Sequence, residues 1–166
     1  MKFDANRLVE LKRPRYVSGR ALTPDDLQAE QDYQREKAWQ HNRLLHGYGI
    51  VSGLEVGIEE TENGGVELVV APGYGLDGWG REIVIPLPLR HKLPRDGRDF
   101  TVYVKYFERD ENPNILESAE IFIEHSPTER ALTPAARPDF AIALARLRRP
   151  GHTWQRDPAF HPSRTR

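Results

Sequence analysis

The sequence predicts an α+β chain: an extended N-terminal arm, one long helix, then an antiparallel β-sandwich or small barrel. Three observations carry this expectation. Between Asp25 and His46 no glycine or proline interrupts a stretch that begins at a capping sequence and stops at Gly47 and Gly49. After Gly49 the apolar period changes from helical spacing to alternation, in short segments separated by turn residues. The length, 166 residues, suits one domain with appendages and allows a real core.

Residues 1–22 read as the extended arm. Pro14 biases Arg13 away from helix, and Ser18-Gly19 is a turn signal. Residues 23–46 form the helical segment. Thr23 suits the N-cap, Pro24 suits the first helical position, and Asp25 and Asp26 favour the positive end of the helix dipole. Asp26 lies three residues after Thr23, as in a shortened capping box.

Residues 47–149 read as the β domain. "GIVSGLEVGIEE" suits a strand, "TENGG" a hairpin turn of the Asn-Gly kind, and "VELVVAP" the returning strand. "GYGLDGWGREIVIP" carries four glycines and then Ile83 and Ile85, as expected for a turn or bulge followed by a strand. "DFTVYVKYFE" is a strand with Phe100, Val102, Val104 and Tyr106 on one face, and "EIFIEH" is another. "FAIALARL" suits a strand or a helix. Residues 150–166, with Pro150, Pro158 and Pro162, read as a basic C-terminal arm.

Composition narrows the classes of function. The net charge of −1 argues against nucleic-acid binding by the chain as a whole. The absence of cysteine excludes disulfides, zinc–thiolate sites and thiol catalysis. No apolar run approaches the roughly 18 residues of a membrane span, so no membrane contact is expected. The N-terminus lacks the apolar core of a signal peptide, and cytoplasmic synthesis is the expectation.

Two surfaces suggest partners. Leu27, Gln31, Gln34, Ala38, His41 and Leu45 recur at heptad spacing, a seam on which copies of the helix would meet. Half of these positions are polar, and a polar seam position sets register and oligomer state. Packing one broad helix face on the chain's own sheet would also account for such spacing. The second surface is the C-terminal arm, where Arg146, Arg148, Arg149, Trp154, Arg156 and Phe160 combine charge with large rings. An extended, proline-rich arm of this kind docks in a neighbour's groove or adds a strand to its edge.

Chemical sites are harder to assemble. His41 and His46 are five residues apart, which on an α-helix puts them on different faces, whereas the zinc-protease pair is i, i+4. "GYGLDG" is followed by a strand pattern, and a dinucleotide fingerprint needs a helix there. Ser52 lacks the G-x-S-x-G frame. "ERDENPN" gathers acids and amides without the ligand order of an EF-hand, and a solvated hairpin tip explains it better. No catalytic, cofactor-binding or metal-binding residue is therefore assigned, and no cofactor is expected.

Taken together, "RPRYVSGRALTPDDLQAEQDYQREKAWQHNRLLHGYGIVSGLEV" and "VVAPGYGLDGWGREIVIP" resemble small proteins of phage tails and phage-tail-like contractile injection systems. The shared pattern falls on Arg15 to Leu27, His41 to Gly47, Gly49 to Val56 and Pro72 to Ile83, within residues 13–86. The resemblance implies a non-catalytic structural or adaptor role at a tail, baseplate or tail-fibre attachment. It implies other tail or baseplate proteins as partners and a homo-oligomer, a trimer being favoured. The alternative is a carbohydrate-binding β-sandwich module stacking sugars on Trp79, Tyr74 and Tyr48. A small hydrolase is a further rival.

Overall fold

The computed structural model describes residues 8, 10–94, 99–125 and 140–165. Residues 1–7 and 9 of the expected arm, and Arg166 of the basic tail, lie outside the described residues. The described part of the arm contains no helix or strand. It turns at Val17–Arg20 and runs alongside the helix, with the Tyr16 hydroxyl 3.4 Å from Glu30.

Helix α1 spans Pro24–His41 and begins where its caps dictate. The Thr23 hydroxyl accepts from the Asp26 amide, the Asp26 carboxylate accepts from the Thr23 amide, and Pro24 occupies the first turn. The predicted helix to residue 46 is helical throughout, but Asn42–His46 forms a wider π-helical turn before Gly47 stops it. No residue of α1 is buried. Its surface is laced instead by polar pairs, among them Gln28 to Asp32 (3.0 Å), Arg35 to Asp32 (2.9 Å) and Gln34 to Glu30 (2.8 Å).

The β domain follows. Strands β1 (Gly49–Gly53), β4 (Gly73–Leu76) and β5 (Glu82–Ile85) make one three-stranded sheet. Strands β2 (Val56–Glu60), β3 (Val66–Val70) and β6 (Leu89–Lys92) make a second. Chain connectivity shows the two to be halves of one antiparallel meander, bent across its middle. "GIVSGLEVGIEE", expected as a single strand, is broken at Gly53 and Leu54, both at positive φ (62° and 61°). The facing strand bends at Pro72-Gly73. There the backbones nearly touch: a Cβ on Gly53 would lie 2.1 Å from the Pro72 carbonyl oxygen. Leu54 holds its left-handed conformation with a side chain only 1% exposed. Pro86 and Pro88, which have no N–H for a ladder, separate β5 from β6.

The hairpin expected at "TENGG" joins β2 to β3. Its loop is Thr61–Gly65 rather than a two-residue turn, with Gly64 left-handed and Thr61 closing it through its amide and hydroxyl. "GYGLDGWGREIVIP" holds a strand of its own, β4, before the turn. Its glycines let backbone and side chains approach: a Cβ on Gly75 would lie 2.6 Å from Ile142 Cδ1.

A four-stranded antiparallel sheet packs against the bent meander, in the order β10 (Gln155–Arg156), β9 (Ile142–Arg148), β7 (Phe100–Glu111), β8 (Asn114–His125). Phe100, Val102, Val104 and Tyr106 face inward as expected and meet Leu68, Val70, Ile83, Ile85, Ile142 and Leu147. "FAIALARL" is the strand β9. Its unbroken apolar run reflects burial on both faces, because Tyr103, Ala141 and Ala143 form a second cluster outside the sheet, covered by Phe122 and Phe160. "ERDENPN" is the tip of the β7–β8 hairpin, turning at Asn112-Pro113.

Candidate assembly interface

The long helix and the β domain are joined at one built junction. The Asn42 side-chain amide donates to the Gly80 carbonyl (2.9 Å), and the Arg43 guanidinium donates to the Trp79 carbonyl (3.3 Å). Gly80 sits at φ 86°, and a Cβ there would lie 2.1 Å from the Trp39 carbonyl oxygen. The receiving turn is shaped by Asp77, which is fully buried. Its Oδ1 accepts from the amides of Trp79 (2.9 Å) and Arg81 (2.8 Å), and its Oδ2 accepts from Arg81 Nε (2.6 Å). Burial pushes the Asp77 carboxyl up from its ordinary value, while the Arg81 guanidinium pulls it back down. The same guanidinium lies 4.8 Å over the Tyr106 ring, which ties the turn to β7. His41 to Gly47 and Pro72 to Ile83, separate segments of the sequence pattern, thus meet in space. Spacing alone does not show this meeting.

The seam residues all lie free of the domain. Leu27, Gln31, Gln34, Ala38, His41 and Leu45 are exposed, Leu27 to 53% and Leu45 to 66%. The π-turn widens the helix between His41 and Leu45, so the last seam step departs from the α-helical period. It also brings His46 round to His41, with ring centroids 5.4 Å apart. The expectation that these two histidines point apart assumed a regular α-helix and is corrected by the wider turn. No group of three or more metal-ligating side chains exists among the described residues.

The C-terminal residues engage their own domain. Trp154 is 6% exposed, lies against Phe100 at 4.9 Å and donates its Nε1–H to the Pro94 carbonyl (3.2 Å). Arg149 stacks over the Trp154 ring. Arg148 and Arg146 reach the buried Asp157 at 2.7 and 3.9 Å, and Arg146 lies over the Phe160 ring. Arg156 is exposed on β10, which extends the four-stranded sheet beside β9. Beyond it, Arg164 bridges Ile50 in parallel, so the tail also lines the edge of β1.

The aromatic residues considered for sugar stacking occupy different settings. Tyr74 is half-buried in β4, its hydroxyl pushed up to about 12 by burial and by Glu82. Trp79 is 43% exposed on the junction turn, edge-on to Phe140, and Tyr48 is half-buried just before β1. No described helix is long and apolar enough to cross a membrane.

Among the described residues these features define an α+β protein with a long outlying helix and antiparallel sheets. No protein-family model and no curated protein sequence matches the chain. Solved structures do share its fold. A chain of the TssK-TssF-TssG baseplate subcomplex of the type VI secretion system superposes with a TM-score of 0.56 at 18% identity, covering 92% of this chain and 62% of that one. A chain of the type VI secretion system baseplate complex gives 0.54 at 16% identity, covering 93% and 60%. TssK in its crystal structure gives 0.54 at 13%, covering 96% and 42%. The chain therefore spans less than two thirds of each of these proteins, and the likeness is one of fold.

Proposed function

We propose that this chain is a non-catalytic structural or adaptor subunit of a phage-tail-like contractile assembly, self-associating through α1, with a trimer favoured, and contacting other baseplate proteins. The observation that carries this reading is the helix itself. It is capped, held at one end and aligned by side-chain pairs, yet it buries none of its residues in its own domain. A polar helix that covers nothing on its own chain is suited to bridging between molecules. The fold shared with baseplate chains and the motif pattern of residues 13–86 support the same class of assembly.

Native mass spectrometry tests it with the wild type and a Leu27→Glu/Leu45→Glu variant. At high salt, which screens contacts between opposite charges, the wild type is expected as a trimer and the variant as a monomer, both with the same β-sheet circular dichroism. A wild type that stays monomeric at high concentration would overturn self-association. Capture of baseplate proteins by the wild type and not by the variant tests the adaptor role.

A further inference from the structure

A groove of about 750 Å³ runs between the N-terminal segment and α1. Arg13, Arg15 and Lys37 bring three cations to its walls, and Tyr16 and Tyr33 bring two rings. One acid, Glu30, faces them, already accepting from Gln34 at 2.8 Å. No carboxylate among the described residues pairs with Arg13, Arg15 or Lys37. Lys37 instead lies 5.7 Å over the Tyr33 ring. Such a surface of unpaired cations and amphipathic rings suits an acidic segment with apolar side chains.

The chain carries a segment of that composition elsewhere. β9 pairs with β7 only over Phe100–Val104, so the far end of the β7–β8 hairpin reaches beyond its sheet. Residues 107–117 are exposed throughout. From residue 105 to 120 the hairpin has five acids (Glu108, Asp110, Glu111, Glu117, Glu120) against Lys105 and Arg109, and both cations are already paired with acids of the hairpin. Its exposed apolar side chains include Ile115 (65%) and Leu116 (41%).

We propose that the groove between residues 13–16 and α1 receives the acidic tip of the β7–β8 hairpin from a second copy of this chain. Charge complementarity identifies the occupant, and the rings at one surface match the apolar side chains at the other. Such a contact is head-to-tail, since groove and tip are different surfaces, and it propagates copies into a ring or a filament. It borders the helix seam at Gln34, which lines the groove, but leaves Leu27 and Leu45 outside it, so substitutions at those two positions separate the contacts.

Charge reversal tests the contact in the Leu27→Glu/Leu45→Glu background, which is designed to remove seam association. Sedimentation velocity at low salt, up to the highest soluble concentration, is expected to show growing assemblies. Arg13→Glu/Arg15→Glu and Asp110→Lys/Glu117→Lys should each weaken assembly roughly tenfold or more. Mixing the two variants should give heterodimers and no longer growth, because one intact groove and one intact tip are left per pair. A monomer at every concentration, a loss confined to the groove variant, or a mixture that forms no heterodimer would each overturn the proposal. A seam failure shows up separately, as a wild type that lacks the trimer but keeps this charge-dependent growth.

Discussion

Asp77 shows how one side chain organises the junction. A carboxylate with no exposure to water needs its charge matched, and three donors on the following four residues do this. Asp77→Ala would leave two turn amides and the Arg81 guanidinium without their acceptor. It is expected to lose about 3 kcal/mol of stability in urea unfolding. The pH dependence has a definite sign. Burial raises the folded carboxyl above its ordinary value of 3.8, so the folded state keeps the proton to higher pH than the unfolded chain does. The contribution of this group is then greatest below the unfolded pKa and falls as pH rises through the folded one. The stability of the wild type minus that of Asp77→Asn should decline from the ordinary carboxylate range upward, and a difference that grows with pH would refute it. That Asp77 and Arg81 lie in a turn is legible in the sequence from the glycines around them. That Asp77 is buried, and that its turn receives a helix, depends on Asn42 and Arg43 arriving from more than thirty residues away.

At the scale of elements, the helix is the most legible part and its end the least. Thr23, Pro24 and Asp26 are local signals, and local hydrogen bonds confirm them. The π-turn is decided at a distance, where the last carbonyls of α1 and the side chains of Asn42 and Arg43 meet the Trp79–Gly80 backbone. Gly80→Ala tests this coupling. A left-handed non-glycine residue costs about 1–2 kcal/mol before any clash, and the Trp39 carbonyl leaves a Cβ no room. The variant is expected to keep its sheets while the amides of residues 38–46 exchange faster with deuterium. Unchanged protection of those amides would show that the junction does not hold the helix end. The strands show the same division. Alternation marks β7, but β1 and β2 read as one strand because the break between them occurs where two backbones cross.

At the scale of the molecule, the C-terminal residues are shown to pack on their own domain. Arginines with interleaved rings read from sequence as a docking arm, and in the fold Trp154 and Phe160 close the two faces of the four-stranded sheet. Trp154→Ala is expected to cost about 3–5 kcal/mol, read as a lower urea midpoint. A loss below about 1 kcal/mol would show that Trp154 does not hold the sheet. Surfaces exposed for partners include α1 and the tip of the β7–β8 hairpin, both with exposed apolar residues, and the tail arginines Arg148 and Arg156.

By itself the sequence determined the α+β class, the start of the helix, the inward face of β7 and the polar character of the exposed helix. Each follows from caps, period or side-chain type, which act over a few residues. Tertiary structure alone decided that the meander bends into two sheets, that the histidines of the helix end come together, that the tail covers its own sheet and that the two motif segments form one junction. These depend on which backbones approach closely enough to exclude a Cβ, and a linear pattern does not carry that distance.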